Sequence, residues 1–92
     1  MPEPMQDSLS AQVINIFRRT VKKKYRDRVG LEAELQADLD MDSLAILSTM
    51  LSAEGELGVT IFPLQADVAE IRTVGDIVRV IRTIQEQNAV GG

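Results

Sequence analysis

Residues 35–44 read Leu35-Gln-Ala-Asp38-Leu39-Asp40-Met41-Asp42-Ser43-Leu44 and run directly into Ala45-Ile46-Leu47-Ser48-Thr49-Met50-Leu51-Ser52-Ala53-Glu54-Gly55-Glu56-Leu57-Gly58. Asp42 or Ser43 is a residue type that caps a helix, and Gly58 is the type that stops one, so the spacing predicts a helix from Asp42 or Ser43 to near Gly58. Its apolar residues Leu44, Ile46, Leu47, Met50, Leu51, Ala53 and Leu57 spread over roughly half of the helical circumference, wider than the ~100° stripe a helix needs to sit on a core. The surplus points to a ligand or a partner.

Upstream, Asp7 or Ser8 can cap a first helix running to about residue 26, after a loose arm marked by Pro2 and Pro4. Val13, Ile14, Phe17, Val21 and Tyr25 share one stripe of it, with Arg18, Arg19, Lys22, Lys23 and Arg26 opposite. Gly30 stops the pattern, and Leu31, Leu35 and Leu39 then recur without a clear period among acids, as in a long connection that drops single leucines into a core. Downstream, Val59-Thr60-Ile61-Phe62 is β-branched and closed by Pro63, a weak strand signal at most. Gln65 to Ile71 can form a short third helix, and Thr73-x-x-Asp76 has the form of a capping box opening a fourth along Val74, Ile77, Val78, Val80, Ile81 and Ile84. The expected fold is therefore all-α, a small four-helix bundle of three longer helices and one short, with a long loop between helices 1 and 2. Residues 1–92 read as a single domain with flexible ends at 1–7 and 88–92.

Composition narrows the chemistry. The 92 residues include no His, no Cys and no Trp, and the aromatics are Phe17, Tyr25 and Phe62. A zinc site of the usual ligands, a disulfide framework, a Ser-His triad and a thiol nucleophile are all excluded, so the chain cannot easily be a self-sufficient hydrolase. The core is aliphatic, and a chain of this size buries only about 60–65% of its unfolded surface, so stability is expected to be modest. The net charge of −4 is unevenly divided: residues 1–28 carry seven basic against three acidic side chains, whereas 29–92 carry three against eleven. The acidic body suits partners with basic patches. The basic run Arg18 to Arg28 raises nucleic acid or anionic lipid as alternatives, but the absence of stacking aromatics and the negative total speak against nucleic acid. No apolar run approaches a membrane span, and Met1-Pro-Glu-Pro does not resemble a secretory signal, so the expectation is a cytoplasmic chain without membrane insertion.

Asp-Ser-Leu by itself is a weak signal, and Asp7-Ser8-Leu9 is a second copy whose expected role is helix capping. The copy at Asp42-Ser43-Leu44 differs in having an acid-Leu pair four residues upstream, a long loop before it and a wide apolar helix after it. Asp38, Asp40 and Asp42 imitate the opening of a calcium loop, but Ser43 stands where Gly is required and Thr49 where the bidentate Glu should be. A metal is not expected. Gly91-Gly92 suggests a ubiquitin-like modifier, a fold whose several strands this sequence does not supply.

With the long loop, the Asp38-Leu39-x-x-Asp42-Ser43-Leu44 frame, Ile61 after the second helix and Ile71-x-Thr73-Val74 before the fourth, residues 8–87 resemble the acyl carrier protein family and its aminoacyl and peptidyl relatives. The resemblance implies that Ser43, flanked by Asp42 and Leu44, is esterified with 4′-phosphopantetheine taken from coenzyme A by a phosphopantetheinyl transferase. It implies further that Leu47, Met50, Ala53, Leu57, Ile61 and Ile71 line a space for an acyl chain, as an alternative to serving simply as core. Asp38, Asp40, Leu44, Leu51 and Glu54, together with Leu47, are the residues it offers to partner enzymes that load, condense or transfer acyl groups. A helix N-terminus independently tolerates a phosphodiester. With no base of its own, Ser43 is expected to be modified by another protein, in a monomeric carrier that is not an enzyme. The chain departs from the family pattern in having Ala45 and Ser48 where acids often face partners, Asp40 where glycine is common, and a basic first helix. These departures favour a specialised fatty acid, lipid or polyketide pathway. An amino-acid carrier loaded by an adenylating enzyme is the alternative, disfavoured by the room that Leu47, Met50 and small Ala53 suggest.

Overall fold

The computed structural model of the chain describes residues 8–62 and 70–91. Within them lie α1 (Ser8–Thr20), a 3₁₀ helix (Lys23–Arg28), α2 (Ser43–Leu57) and α3 (Val74–Gly91). The fold is an all-α bundle with a long connection between α1 and α2, as the sequence predicts. α3 is the expected fourth helix. The short third helix expected over 65–71 falls largely outside the described residues. The residues of Val59–Phe62 form no strand and no helix.

α1 is shorter than its hydrophobic pattern suggests. The Val21 N–H closes the last turn on the Phe17 carbonyl at 2.9 Å, and Lys22 then turns to φ −59°, ψ 146°. A continuous helix to residue 26 would stack Arg18, Arg19, Lys22, Lys23 and Arg26 at i, i+3 and i, i+4, where like charges repel. After the break, Lys22 Nζ reaches Asp40 Oδ2 at 3.2 Å, and Arg26 Nε donates back to the Arg18 carbonyl at 3.2 Å. Arg19 pairs with Glu56 at the far end of α2.

The core is one aliphatic cluster around Phe17. α1 contributes Leu9, Val13, Ile16 and Phe17, α2 contributes Ile46, Met50 and Ala53, and α3 contributes Val74, Ile77, Val78 and Ile81. α1 packs against both other helices. The connection supplies Val29, Ala33, Leu35, Leu39 and Met41 to the same cluster, so two of its three leucines are core residues while Leu31 is exposed. It is stitched to the start of α3 by backbone bonds: Leu35 N–H to the Arg72 carbonyl (2.8 Å), Val74 N–H to Ala33 (3.1 Å) and Gly75 N–H to Leu31 (2.9 Å). Glu34 and Thr73 form an isolated antiparallel bridge there. The capping box is formed as the sequence predicts, with Thr73 Oγ1 accepting the Asp76 N–H and Asp76 Oδ2 accepting the N–H groups of Arg72 and Thr73. No helix of the described residues is long and apolar enough to cross a membrane.

Two predictions follow from the stitched junction. A Cβ added at Gly75 would stand 2.9 Å from the Leu31 carbonyl oxygen. Helix propensity alone favours Gly75→Ala by about 1 kcal/mol, whereas a clash with backbone costs typically 1–3 kcal/mol. The variant should therefore melt lower than the wild type in a thermal scan followed by circular dichroism. Second, the Arg72 N–H above all, together with Thr73 and Arg79, holds the Asp76 carboxyl below its ordinary value of 3.8. A depressed carboxylate contributes stability above the unfolded value that is lost as pH falls through the folded one. The stability difference between wild type and Asp76→Asn should be constant near neutrality and shrink below pH 3.8.

Candidate functional site

α2 begins with a division of labour between neighbours. Asp42 has extended backbone angles (φ −87°, ψ 177°), its Oδ1 accepts the Ala45 N–H at 2.8 Å, and its carbonyl accepts the Ile46 N–H at 3.0 Å. It is the N-cap. Ser43 is the first helical residue, it is exposed, and its hydroxyl makes no hydrogen bond to another described residue. A serine in the D-S-L frame could have been spent on capping. Here the aspartate caps and leaves the hydroxyl facing solvent at the positive end of the helix dipole.

The acids leading to Ser43 are each committed to separate structural tasks. Asp38 Oδ2 accepts the Glu34 N–H at 2.8 Å and braces the loop, Asp40 pairs with Lys22, and Asp42 caps α2. Asp40 also has φ +53°, the left-handed region that favours glycine. That conformation explains why glycine suits this position. Asp, with Asn, is among the side chains that tolerate it best, and the Lys22 contact ties the charge it adds to the basic 3₁₀ segment.

From Leu44 to Ala53, α2 carries no charged side chain. Leu44 is 72% exposed and Leu51 55%, seven residues apart on one side of α2, with exposed Ser48 and Ser52 on the same helix. Of the residues expected to line an acyl space, Met50, Ala53 and Ile61 are buried in the common core at 1%, 3% and 2% exposure. Leu57 and Ile71 are half-buried against that cluster, and Leu47 is half-buried outside it. Glu54 does not reach outward: its Oε2 accepts the N–H groups of Ile61 at 2.6 Å and Phe62 at 2.8 Å. Sequence reasoning assigned Glu54 to the partner surface and missed this bond pair. The available signal was a glutamate four residues before the stop glycine of a helix followed by an irregular segment. It also missed buried Thr49, whose hydroxyl donates to the Ala45 carbonyl at 2.8 Å.

A family model described as phosphopantetheine attachment site matches residues 11–81. The meromycolate extension acyl carrier proteins of Mycolicibacterium aurum and Mycolicibacterium smegmatis are each 43% identical to the chain over 51 residues, which is 55% of this chain and 50% of theirs. That of Mycobacterium tuberculosis has the same identity over the same 55% of this chain and 43% of its own length. The alignments thus span about half the length of these relatives.

The cap geometry separates two properties of Asp42. Loss of an N-cap costs about 0.5–2 kcal/mol, whereas Asn caps nearly as well as Asp. Asp42→Ala should lower the melting temperature by several degrees and Asp42→Asn by little. Equal losses for both would mean that the charge, and not the cap, holds this end of α2.

Proposed function

The chain belongs to the phosphopantetheine attachment family, and from that premise we propose that it is an acyl carrier protein whose arm is borne by Ser43. The family's group is 4′-phosphopantetheine, attached covalently, and when bound it supplies a thiol that holds an acyl unit as a thioester. The residues present suit it. Ser43 offers an exposed hydroxyl, and the backbone N–H groups at the start of α2 favour the negative charge of a phosphodiester. Asp42 accepts the Ala45 N–H, which turns its own charge onto the helix end and keeps Ser43 accessible. The single observation that carries the reading is this pairing of a capping Asp42 with an uncommitted Ser43 inside the matched family frame.

The remaining roles follow from the surroundings of Ser43. The chain has no His or Cys to activate a nucleophile, so a phosphopantetheinyl transferase performs the attachment and other enzymes perform the acyl chemistry; the chain itself is not an enzyme. Leu44 and Leu51, with Leu47 between them, form the contact surface for these partners. Asp38 and Asp40 give that surface only a weak electrostatic attraction to basic patches on loading, condensing or transfer enzymes, because both are engaged within the chain. Met50, Ala53, Leu57, Ile61 and Ile71 form the aliphatic region that an acyl chain enters. The relatives named for meromycolate extension support a fatty acyl cargo in a specialised lipid pathway over an aminoacyl one. The working form is a monomer in the cytoplasm, and 1–92 is one carrier domain.

Incubation of the apo-protein with coenzyme A and a broad-specificity phosphopantetheinyl transferase should raise the intact mass by one phosphopantetheine group. The increase should persist in Ser8→Ala and vanish in Ser43→Ala. No increase in the wild type, or one that survives Ser43→Ala, would overturn the assignment.

A further inference from the structure

Four backbone donors converge on Glu54. Its carbonyl oxygen accepts the N–H groups of Gly58 at 3.0 Å and Val59 at 3.3 Å, and its Oε2 accepts those of Ile61 at 2.6 Å and Phe62 at 2.8 Å. The first pair is an ordinary helix ending, in which left-handed Gly58 (φ +67°) turns the chain back on the last carbonyls. The second pair lies outside the helix. It is a carboxylate holding two successive N–H groups of an irregular segment in a half-buried setting, where bonds to an ionised acceptor are roughly twice as strong as neutral ones.

The bonds fix what lies beneath them. With the Ile61 N–H on Glu54, the Ile61 side chain is buried in the same cluster as Met50 and Ala53. A chain inserting alongside those two residues must move Ile61, and Ile61 cannot travel far while its own N–H and that of Phe62 are tied to α2. Glu54 is adjacent in sequence to Ala53, so the tie is anchored on the very turn of α2 that the inserted chain would line. Exposed acids such as Asp40 and Glu56 face cationic side chains instead.

We propose that Glu54 is a latch that holds Val59–Phe62 closed against α2, and that its release governs how much of a thioester-bound acyl chain the aliphatic core admits. The proposal rests on the carrier reading above and makes Glu54 a positioning residue. A chain enclosed only by the folded protein stabilises it by mass action. If the enclosing state first requires the latch to open, the stabilisation is reduced by the scarcity of that state, and weakening the latch restores it.

The test uses full-length wild type, Glu54→Gln and Glu54→Ala, each as holo-protein and after loading with an acetyl or a long fatty acyl group, with loading verified by intact mass. Amide hydrogen exchange at Ile61 and Phe62 should accelerate about tenfold in Glu54→Gln, as expected when a neutral amide oxygen replaces a charged acceptor of two bonds, and further in Glu54→Ala, while α1 amides change little. The rise in melting temperature from acetyl to long acyl should be larger in Glu54→Gln than in wild type. Unchanged exchange at the two amides would overturn the latch. Faster exchange with an unchanged acyl-dependent rise would reduce Glu54 to a structural brace and likewise overturn the proposal. No acyl-dependent rise in any of the proteins would overturn both the proposal and the assignment of an acyl lining, yet leave the carrier reading intact, because loading at Ser43 is read separately by mass. Should Glu54→Ala fail to fold, Glu54→Gln decides the outcome.

Discussion

The carboxylate of Asp42 sets the start of α2, and the proposed chemistry depends on that start. Its bond to the Ala45 N–H satisfies a helix-end donor that would otherwise need another partner, and Ser43 is the nearest other side chain of a capping type. Were the serine to cap, its hydroxyl would fold back onto the helix. Because the aspartate caps, Ser43 stands one residue inside, exposed, at the end of the helix where a phosphodiester is electrostatically welcome. The loop before it is held in place as well. Leu35, Leu39 and Met41 are buried in the core, Asp38 braces a turn, and Asp40 accepts a left-handed conformation while pairing with Lys22.

α2 is held by a carboxylate at each end, and the two were unequally legible in the sequence. The start could be read because capping is local: a residue type, a position and an apolar run suffice, and Thr73-x-x-Asp76 at the start of α3 was readable for the same reason. The end could be read only in part. Gly58 announces the stop, but the turn of Glu54 inward to Ile61 and Phe62 depends on how the chain folds back after the glycine, and no local pattern encodes that. The break after Thr20 was hidden for a related reason. The stripe of Val13, Phe17, Val21 and Tyr25 continues through it in period, while Lys22, just past the break, pairs with Asp40, a partner distant in sequence. The burial of Leu35 and Leu39 was legible, and the exposure of Leu31 was not, since the position of Leu31 is tied to α3 through a backbone bond, its carbonyl accepting the Gly75 N–H.

Absences first noted as exclusions become functional properties. The chain has no His and no Cys, and on the proposed reading it needs neither, because the reactive sulfur arrives on the attached group. A core built almost entirely from aliphatic side chains around Phe17 and Met50 has few directional contacts to lose if a flexible chain enters. The uneven charge also gains a structural meaning. Lys22 and Arg19 pair the basic N-terminal part with Asp40 and Glu56 at the two ends of the α2 region, and Leu44 and Leu51 stand exposed between them.

The attachment of the arm to Ser43 is most directly tested by fragmentation mass spectrometry of the wild-type protein after conversion with coenzyme A. Residues 29–72 contain Ser43, Ser48, Thr49, Ser52 and Thr60 as competing hydroxyls, so a tryptic peptide spanning them resolves the site. The added mass should lie wholly on Ser43. Its localisation on Ser48, Thr49, Ser52, Thr60 or Ser8 would contradict the assignment of Ser43.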